Sequence, residues 1–153
     1  LITKLSPNQT DIRENARLCI EAGSDGLAVI NTIAGMVIDP KTRRPVIGNV
    51  QGGLSGPAIK PIALLMVKKV YEVAGPKNVP IIGQGGITTV SDAIEFLVAG
   101  ATAIGLGTGL FYDPLLCPKI NAGIAAYLSE TGINVVTKLR GSPTDGATED
   151  CAG

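Results

Sequence analysis

The hydrophobic and polar positions of this chain follow two different periods along its length. Four short segments are apolar or rich in β-forming residues, as is typical of the buried strands of a parallel sheet. These predicted strands occupy residues 1–5, 26–31, 79–83 and 101–106. Between them, apolar positions recur with the 3.6-residue period of an amphipathic helix. The predicted helices occupy residues 11–22, 60–74, 91–99 and 115–130.

A strand followed by a helix, four times in succession, predicts an α/β fold built from right-handed βα units around a parallel sheet. Either a three-layer open sheet or part of a (β/α)8 TIM barrel accommodates four such units. A complete barrel has about 250 residues, and this chain has 153. Because the sequence also enters a strand pattern directly at Leu1, we expect a fragment, with a domain over 1–140 and a disordered polar tail over 141–153.

Local signals predict where two of the helices begin and which face a third one buries. Asp11 precedes the first helix and Glu14 lies three residues later, which is the spacing of a capping box. Ser91 is the expected N-cap of the third helix. The second helix is expected to bury one stripe of four residues, which are Ile62, Met66, Val70 and Val73.

The composition of the chain argues against several classes of function. Thirteen basic and thirteen acidic side chains balance, which argues against nucleic acid or an anionic membrane as a partner. The chain has no histidine, so it cannot build a Ser-His-Asp triad or a His-ligated zinc site, and we expect no metal. Cys19, Cys117 and Cys151 are scattered without a CxxC pair, which favours reduced thiols and a cytoplasmic protein. We expect Cys19 to be buried in the first helix.

Two glycine-rich turns follow neighbouring predicted strands. The segments 83–86 and 105–109 each lie at the carboxyl end of a strand and precede a helix. Glycine lets backbone N–H groups approach an anion closely, and a helix N-terminus adds a favourable dipole. Two such turns one βα unit apart match the phosphate site that TIM barrels build after their last two strands. The alternative is that the glycines serve only as tight turns.

Three further features are candidate site residues. Lys4 lies on a strand that should be largely buried, so its ammonium should meet either a ligand anion or a strand carboxylate. Asn31 and Thr32 end the second strand on the face where TIM-barrel active sites lie, and they can hydrogen-bond a planar polar substrate or simply form a turn. The long segment 32–56 is expected to be a functional loop, with Arg43 and Arg44 holding it or binding an anion.

Six segments of the chain, in order, resemble the C-terminal half of the class 1B dihydroorotate dehydrogenases. They are residues 4–8, 30–32, 42–45, 52–64, 81–87 and 107–108, and the block 52–64 is the most specific. The resemblance covers residues 1–133. It implies part of an FMN-containing TIM barrel, about four C-terminal βα units, that oxidises (S)-dihydroorotate to orotate in pyrimidine (UMP) biosynthesis. It also implies a homo-oligomer and a partner subunit that carries FAD and an iron–sulfur cluster and reduces NAD.

The resemblance assigns roles residue by residue. The implied FMN contacts are Lys4, Ile30, Gly56, Gly85, Gly86, Gly107 and Thr108. The implied orotate contacts are Asn31 and Thr32. The family's proton-abstracting cysteine belongs to a motif that is absent here, so no catalytic residue is assigned and the isolated chain is expected to be inactive. Two alternatives stay open: the flavin domain of a dihydropyrimidine dehydrogenase, and a non-catalytic half-barrel that binds phosphate and self-associates.

Overall fold

The computed structural model describes residues 1–142. In chain order the elements are β1 (Ile2–Leu5), α1 (Ile12–Glu21), β2 (Gly26–Val29), β3 (Ile33–Gly35), β4 (Ile38–Asp39), β5 (Arg44–Pro45), β6 (Gly52–Leu54), α2 (Lys60–Ala74), β7 (Ile81–Gln84), α3 (Val90–Ala99), β8 (Ala103–Gly105), α4 (Gly109–Tyr112) and α5 (Leu116–Glu130). Short 3-10 helices cover Pro57–Ile59, Gly75–Lys77 and Val136–Lys138. Among the helices of these residues, none combines the length and the apolar character needed to cross a membrane.

Four strands form one parallel sheet in the order β1-β2-β7-β8. The register pairs Lys4 with Ala28, Ala28 with Ile82, and Gln84 with Gly105, so these residues share one face. The predicted four βα units and parallel sheet are confirmed. Because all four strands run the same way, their carboxyl ends meet at one edge, where the loops that follow them come together.

The opposite face of the sheet carries the core. Leu27, Val29 and Ile81 are fully buried there, together with Phe96 from α3. Helix α2 buries Ala63, Val67, Val70 and Ala74. The predicted burial of Val70 is confirmed, whereas the other three buried residues each lie one position after the predicted ones. Ile62 is 41% exposed, so the prediction was wrong at that position. The two alanines allow α2 to approach its neighbours more closely than the larger predicted side chains would.

The helix starts confirm one predicted cap and correct two others. Asp11 is the N-cap of α1 and accepts from the Arg13 amide at 3.0 Å. Glu14 forms no capping box, because its carboxylate pairs with Arg17 at 2.6 Å. Helix α3 begins after Thr89 rather than Ser91. Thr89 is favoured because Asp92 then occupies the third helical position and its carboxylate reaches back to the N-cap amide.

The segment between β2 and α2 is more regular than the predicted loop. Two antiparallel ladders, β3 with β6 and β4 with β5, cross it. Asn8 holds its start, since the side chain donates to the Thr32 carbonyl at 3.0 Å and accepts from the Ala34 amide at 2.9 Å.

The side chains of Arg43 and Arg44 do not hold that segment, so this part of the prediction was wrong, and the alternative that they bind an anion stays a prediction. Both are exposed, and their side chains form no hydrogen bond or ion pair with any of residues 1–142. Asp39 stabilises the turn instead, because its carboxylate accepts from the Lys41 amide at 2.9 Å and from the Thr42 hydroxyl at 2.8 Å. A short acceptor next to the turn can satisfy its amides more directly than a long guanidinium side chain.

After α5 the chain returns to helix α2, on which Tyr71 lies. Leu139 is buried, and the Arg140 guanidinium lies 5.4 Å from the centre of the Tyr71 ring. Residues 143–153, which make up most of the predicted tail and include Cys151, lie outside the described residues. Cys19 is half-buried rather than fully buried, since it lies beside the buried stripe of α1 rather than on it.

Candidate functional site

A cleft of about 210 Å³ opens at the carboxyl ends of the four parallel strands. Each strand or the loop after it contributes to the lining. All nine residues singled out from the sequence line this cleft: Lys4, Ile30, Asn31, Thr32, Gly56, Gly85, Gly86, Gly107 and Thr108. The structure therefore brings the predicted residues together, and the ligands they contact remain a prediction.

The turn after β7 is packed tightly against the start of α2. Gly86 has a φ of +78°, in the left-handed region that disfavours other residues. A Cβ there would lie 2.8 Å from the Gly56 carbonyl oxygen and 2.9 Å from the Lys60 amide nitrogen. A Cβ at Gly85 would lie 2.8 Å from the Ala63 Cβ. Glycine at these two positions is what lets the backbone of this turn reach α2.

The turn after β8 is open by comparison. A Cβ at Gly107 would meet no atom within 4 Å. The Thr108 hydroxyl lies 2.9 Å from the Ser55 hydroxyl, which joins this turn to the segment before α2. The two glycine turns thus line one cleft but are supported in different ways.

The donors of the cleft suit an anion. The amide N–H groups of Gly86, Gly107 and Thr108 have no hydrogen-bond acceptor within residues 1–142. The described lining includes Lys4 and no aspartate or glutamate. Free backbone donors in a lining that contains no carboxylate are the chemistry that a phosphate group requires. The phosphate of FMN fits this set of donors.

Two amides just before α3 are not free for a ligand in the cleft, and the contribution of the helix dipole stays a prediction. The Thr88 and Thr89 amides both donate to the Asp92 carboxylate at 2.9 Å. Burial raises the pKa of Asp92, but hydrogen bonds from Lys60, Thr88 and Thr89 outweigh burial and hold that pKa well below its ordinary value. Helix α4, after the second turn, is only four residues long.

Lys4 lies in the cleft but not in the environment expected from the sequence. Its side chain is exposed, and it forms no ion pair with any of residues 1–142. The expected burial was wrong because Lys4 stands near the end of β1, at the edge of the described sheet, where β2 alone covers it. Its ammonium is therefore available to a ligand in the cleft.

Residues 30–32 are held by backbone contacts on both sides. The Asn31 amide donates to the Leu5 carbonyl at 2.8 Å, and the Ile30 amide donates to the Gln84 carbonyl at 3.0 Å. The Asn31 side chain is exposed at the cleft. The Thr32 hydroxyl packs directly over Gly53, where a Cβ would lie 2.1 Å from Oγ1. Neighbouring strands thus fix the main chain, and the polar side chains face the opening.

Eight further residues line the cleft without having been assigned a contact from the sequence. Four of them lie inside the two predicted glycine turns, namely Gln84, Gly105, Leu106 and Gly109, and the other four are Ser55, Ile59, Ile87 and Thr88. Gln84 is the most informative, because its side-chain amide donates to the Ile30 carbonyl at 2.9 Å. Gly105 makes room for it, since a Cβ there would lie 2.8 Å from the Gln84 Oε1 atom. The available signal was a polar side chain at the end of an apolar strand.

Comparison with known proteins identifies the family. A family model for dihydroorotate dehydrogenase matches residues 1–128, so the chain belongs to the dihydroorotate dehydrogenase family. It is 52% identical over 142 residues to the dihydroorotate dehydrogenase B (NAD(+)) catalytic subunit of Geotalea uraniireducens, and 53% identical to that of Trichlorobacter lovleyi. Each alignment covers 93% of this chain and 46% of the relative, so the chain spans about half the length of these curated relatives. The resemblance to the class 1B enzymes is confirmed.

Solved structures support the same fold. A crystal structure of DHODH from Eimeria tenella in complex with ferulenol is 31% identical and superimposes with a TM-score of 0.75. The match covers 93% of this chain and 38% of that one. The ligand-free form of the Eimeria protein superimposes with the same score. The prediction of a partial TIM barrel is confirmed, and the family is FMN-dependent.

Proposed function

We propose that this chain is the FMN-phosphate-binding half of an enzyme that oxidises (S)-dihydroorotate to orotate in pyrimidine biosynthesis. The observation that carries the proposal is the meeting of the two glycine turns with Lys4 and residues 31–32 in a single cleft. The identity to catalytic subunits of dihydroorotate dehydrogenase B supports this reaction over that of a dihydropyrimidine dehydrogenase.

Each group of lining residues has a defined task. The free amides of Gly86, Gly107 and Thr108 bind the phosphate, and Lys4 balances negative charge on the bound group. FMN, when bound, supplies the hydride-accepting chemistry. Asn31 offers a carboxamide and Thr32 a hydroxyl to the carbonyl and N–H groups of the pyrimidine ring. Binding such a ring with neutral donors and acceptors positions it without a proton transfer from these side chains.

The proton-abstracting base lies outside the described residues in this proposal. Within residues 1–142 the lining of the cleft contains no histidine, cysteine, aspartate or glutamate. The remaining half of the enzyme therefore contributes the base, and the 153-residue chain alone should not turn over dihydroorotate.

The names of the relatives support a partner. They are catalytic subunits of a NAD(+) enzyme, which implies a separate electron-transfer subunit. We propose that the intact enzyme is a cytoplasmic homo-oligomer whose partner carries FAD and an iron–sulfur cluster and passes electrons to NAD.

Flavin titration of the 153-residue chain tests the cofactor part of the proposal. We expect FMN fluorescence to be quenched on binding, with an affinity at least about tenfold higher than for riboflavin, because the phosphate adds charge-assisted hydrogen bonds. Equal affinity for FMN and riboflavin contradicts the phosphate site. A chain that dimerises on size-exclusion chromatography without binding flavin supports the non-catalytic half-barrel instead.

A dye-reduction assay tests the division of labour. We expect no dihydroorotate-dependent reduction by the chain alone, even when it is saturated with FMN. Turnover near that of an intact enzyme contradicts the placement of the base outside these residues.

A further inference from the structure

A charged cluster lies behind the glycine turn that follows β7. The Asp92 carboxylate accepts from the Lys60 ammonium at 2.7 Å, from the Thr88 hydroxyl at 3.0 Å, and from the Thr88 and Thr89 amides at 2.9 Å. Lys60 also donates to Glu95 at 3.0 Å. Asp92 is 8% exposed. Lys60, Asp92 and Glu95 are not among the described residues that line the cleft.

This cluster connects two walls of the cleft. Thr88 belongs to one wall and is held by Asp92 through both its amide and its hydroxyl. Lys60 begins α2, directly after Ile59 of the other wall. At the same junction, the Lys60 amide nitrogen would lie 2.9 Å from a Cβ on Gly86. The ion pair therefore fastens the first glycine turn to the start of α2.

The cluster also has an electrostatic consequence. A carboxylate hydrogen-bonded to Thr88 lies close enough to the cleft to repel a phosphate there, since charges interact over about 10 Å at ordinary salt. Lys60 offsets the charge of Asp92, which it contacts at 2.7 Å; the second carboxylate that it contacts, Glu95, is 41% exposed, so water screens that charge more strongly. The hydrogen bonds that Lys60 donates to Asp92 and Glu95 raise the pKa of Lys60, so the cation is present at neutral pH.

We propose that Lys60 and Asp92 are positioning residues for anion binding: their ion pair holds the turn of residues 85–88 in its binding conformation, and Lys60 neutralises Asp92 so that the carboxylate does not repel the phosphate. This inference rests on the proposed function, because the anion is taken to be the phosphate of FMN. Neither residue touches the ligand. Their effect reaches it through the glycine turn and through the local charge.

The test compares four variants of the 153-residue chain with the wild type. They are Lys60→Met, Lys60→Arg, Asp92→Asn and the double variant Lys60→Met/Asp92→Asn. Lys68→Met is the matched control, because Lys68 lies on the same helix and forms no ion pair within residues 1–142. Dissociation constants for FMN and riboflavin are measured by flavin fluorescence, and amide hydrogen exchange of residues 85–89 is measured without ligand.

The strongest expected effect is that of Lys60→Met, which leaves the Asp92 charge uncompensated. We expect it to weaken FMN binding by about tenfold, or about 1.4 kcal/mol, because an uncompensated negative charge then lies near the phosphate. Riboflavin binding should change by less than about twofold. Lys60→Arg and Lys68→Met should retain the preference for FMN. The double variant should bind FMN more tightly than Lys60→Met, because the repelling charge is gone. Exchange at residues 85–89 should accelerate in Lys60→Met and Asp92→Asn.

Three outcomes would overturn the inference. The first is an equal loss of FMN and riboflavin affinity in Lys60→Met, which indicates a purely structural role. The second is a double variant that binds FMN no better than Lys60→Met. The third is unchanged exchange at residues 85–89 in both single variants, whatever flavin they bind. If the wild-type chain shows no preference for FMN over riboflavin, the proposed function itself is contradicted. Hydrogen exchange at residues 85–89 then still tests whether the Lys60–Asp92 ion pair holds the turn.

Discussion

The two glycine turns of the cleft look alike in sequence and differ in their surroundings. In the turn after β7, a Cβ placed on Gly86 would lie less than 3 Å from backbone atoms of Gly56 and Lys60. In the turn after β8, a Cβ placed on Gly107 would face open space. The first turn is fastened by the Lys60–Asp92 ion pair, and the second by one exposed hydroxyl contact between Thr108 and Ser55.

The difference separates two uses of glycine. At Gly86 the missing side chain is required by the fold, because the turn could not otherwise reach α2 with a positive φ. At Gly107 the fold does not require it, because a Cβ there would meet no atom within 4 Å. A glycine motif at a strand end therefore does not by itself tell whether the residue serves packing or binding, and substitution of each turn can separate the two.

Gly86→Ala should have the largest effect. The substitution combines a positive φ with contacts of 2.8 and 2.9 Å to backbone atoms, so we expect it to cost about 2–4 kcal/mol of unfolding free energy. Chemical denaturation measures the change. Gly48→Ala is the control, because a Cβ there meets nothing within 4 Å. Equal stability of the two variants would show that the first turn is not packed as described.

Asp92→Asn should have a smaller effect that depends on pH. At neutral pH we expect a loss of about 2 kcal/mol, since a charge-assisted hydrogen bond to Lys60 is lost from a buried site. Folding lowers the pKa of Asp92, so its stabilising contribution is complete above the unfolded pKa of about 3.9 and is lost as the pH falls through the folded pKa.

Denaturation of wild type and Asp92→Asn between pH 7 and pH 2 measures this dependence. The difference in unfolding free energy should stay constant down to about pH 5 and shrink below about pH 3.9. A difference that grows on acidification contradicts the assigned direction of the pKa shift.

Gly107→Ala should have the smallest effect on folding and a clear effect on binding. We expect a change of at most about 0.5 kcal/mol in unfolding free energy, as for a substitution into open space. The added methyl group occupies the cleft next to a free amide, so FMN affinity should fall while the melting temperature holds. A loss of stability as large as that of Gly86→Ala would remove the distinction between the turns.

Most of the residues that line the cleft could be predicted from the sequence, but the side-chain contacts that hold them in place could not. The glycine turns, Lys4 and residues 31–32 were predicted, because parallel strands bring their carboxyl ends to one edge and each residue follows such a strand. Asp92 was missed, since its partner Lys60 is 32 residues away along the chain. Gln84 lies inside the predicted turn 83–86, but the role of its side chain was missed because it depends on a contact with Ile30 across the sheet.

Periodicity and turn chemistry determined the order of strands and helices, since local hydrophobic spacing and glycine or proline stops act within a few residues. The start of α1 at Asp11 was likewise predictable, because an N-cap side chain bonds an amide only two residues further along the chain. Only the tertiary structure decided that Lys4 is exposed, that α2 presents Ala63 rather than Ile62 to the core, and that one glycine turn is packed while the other is open. These properties depend on which surfaces meet in space, and residues distant along the chain set those contacts.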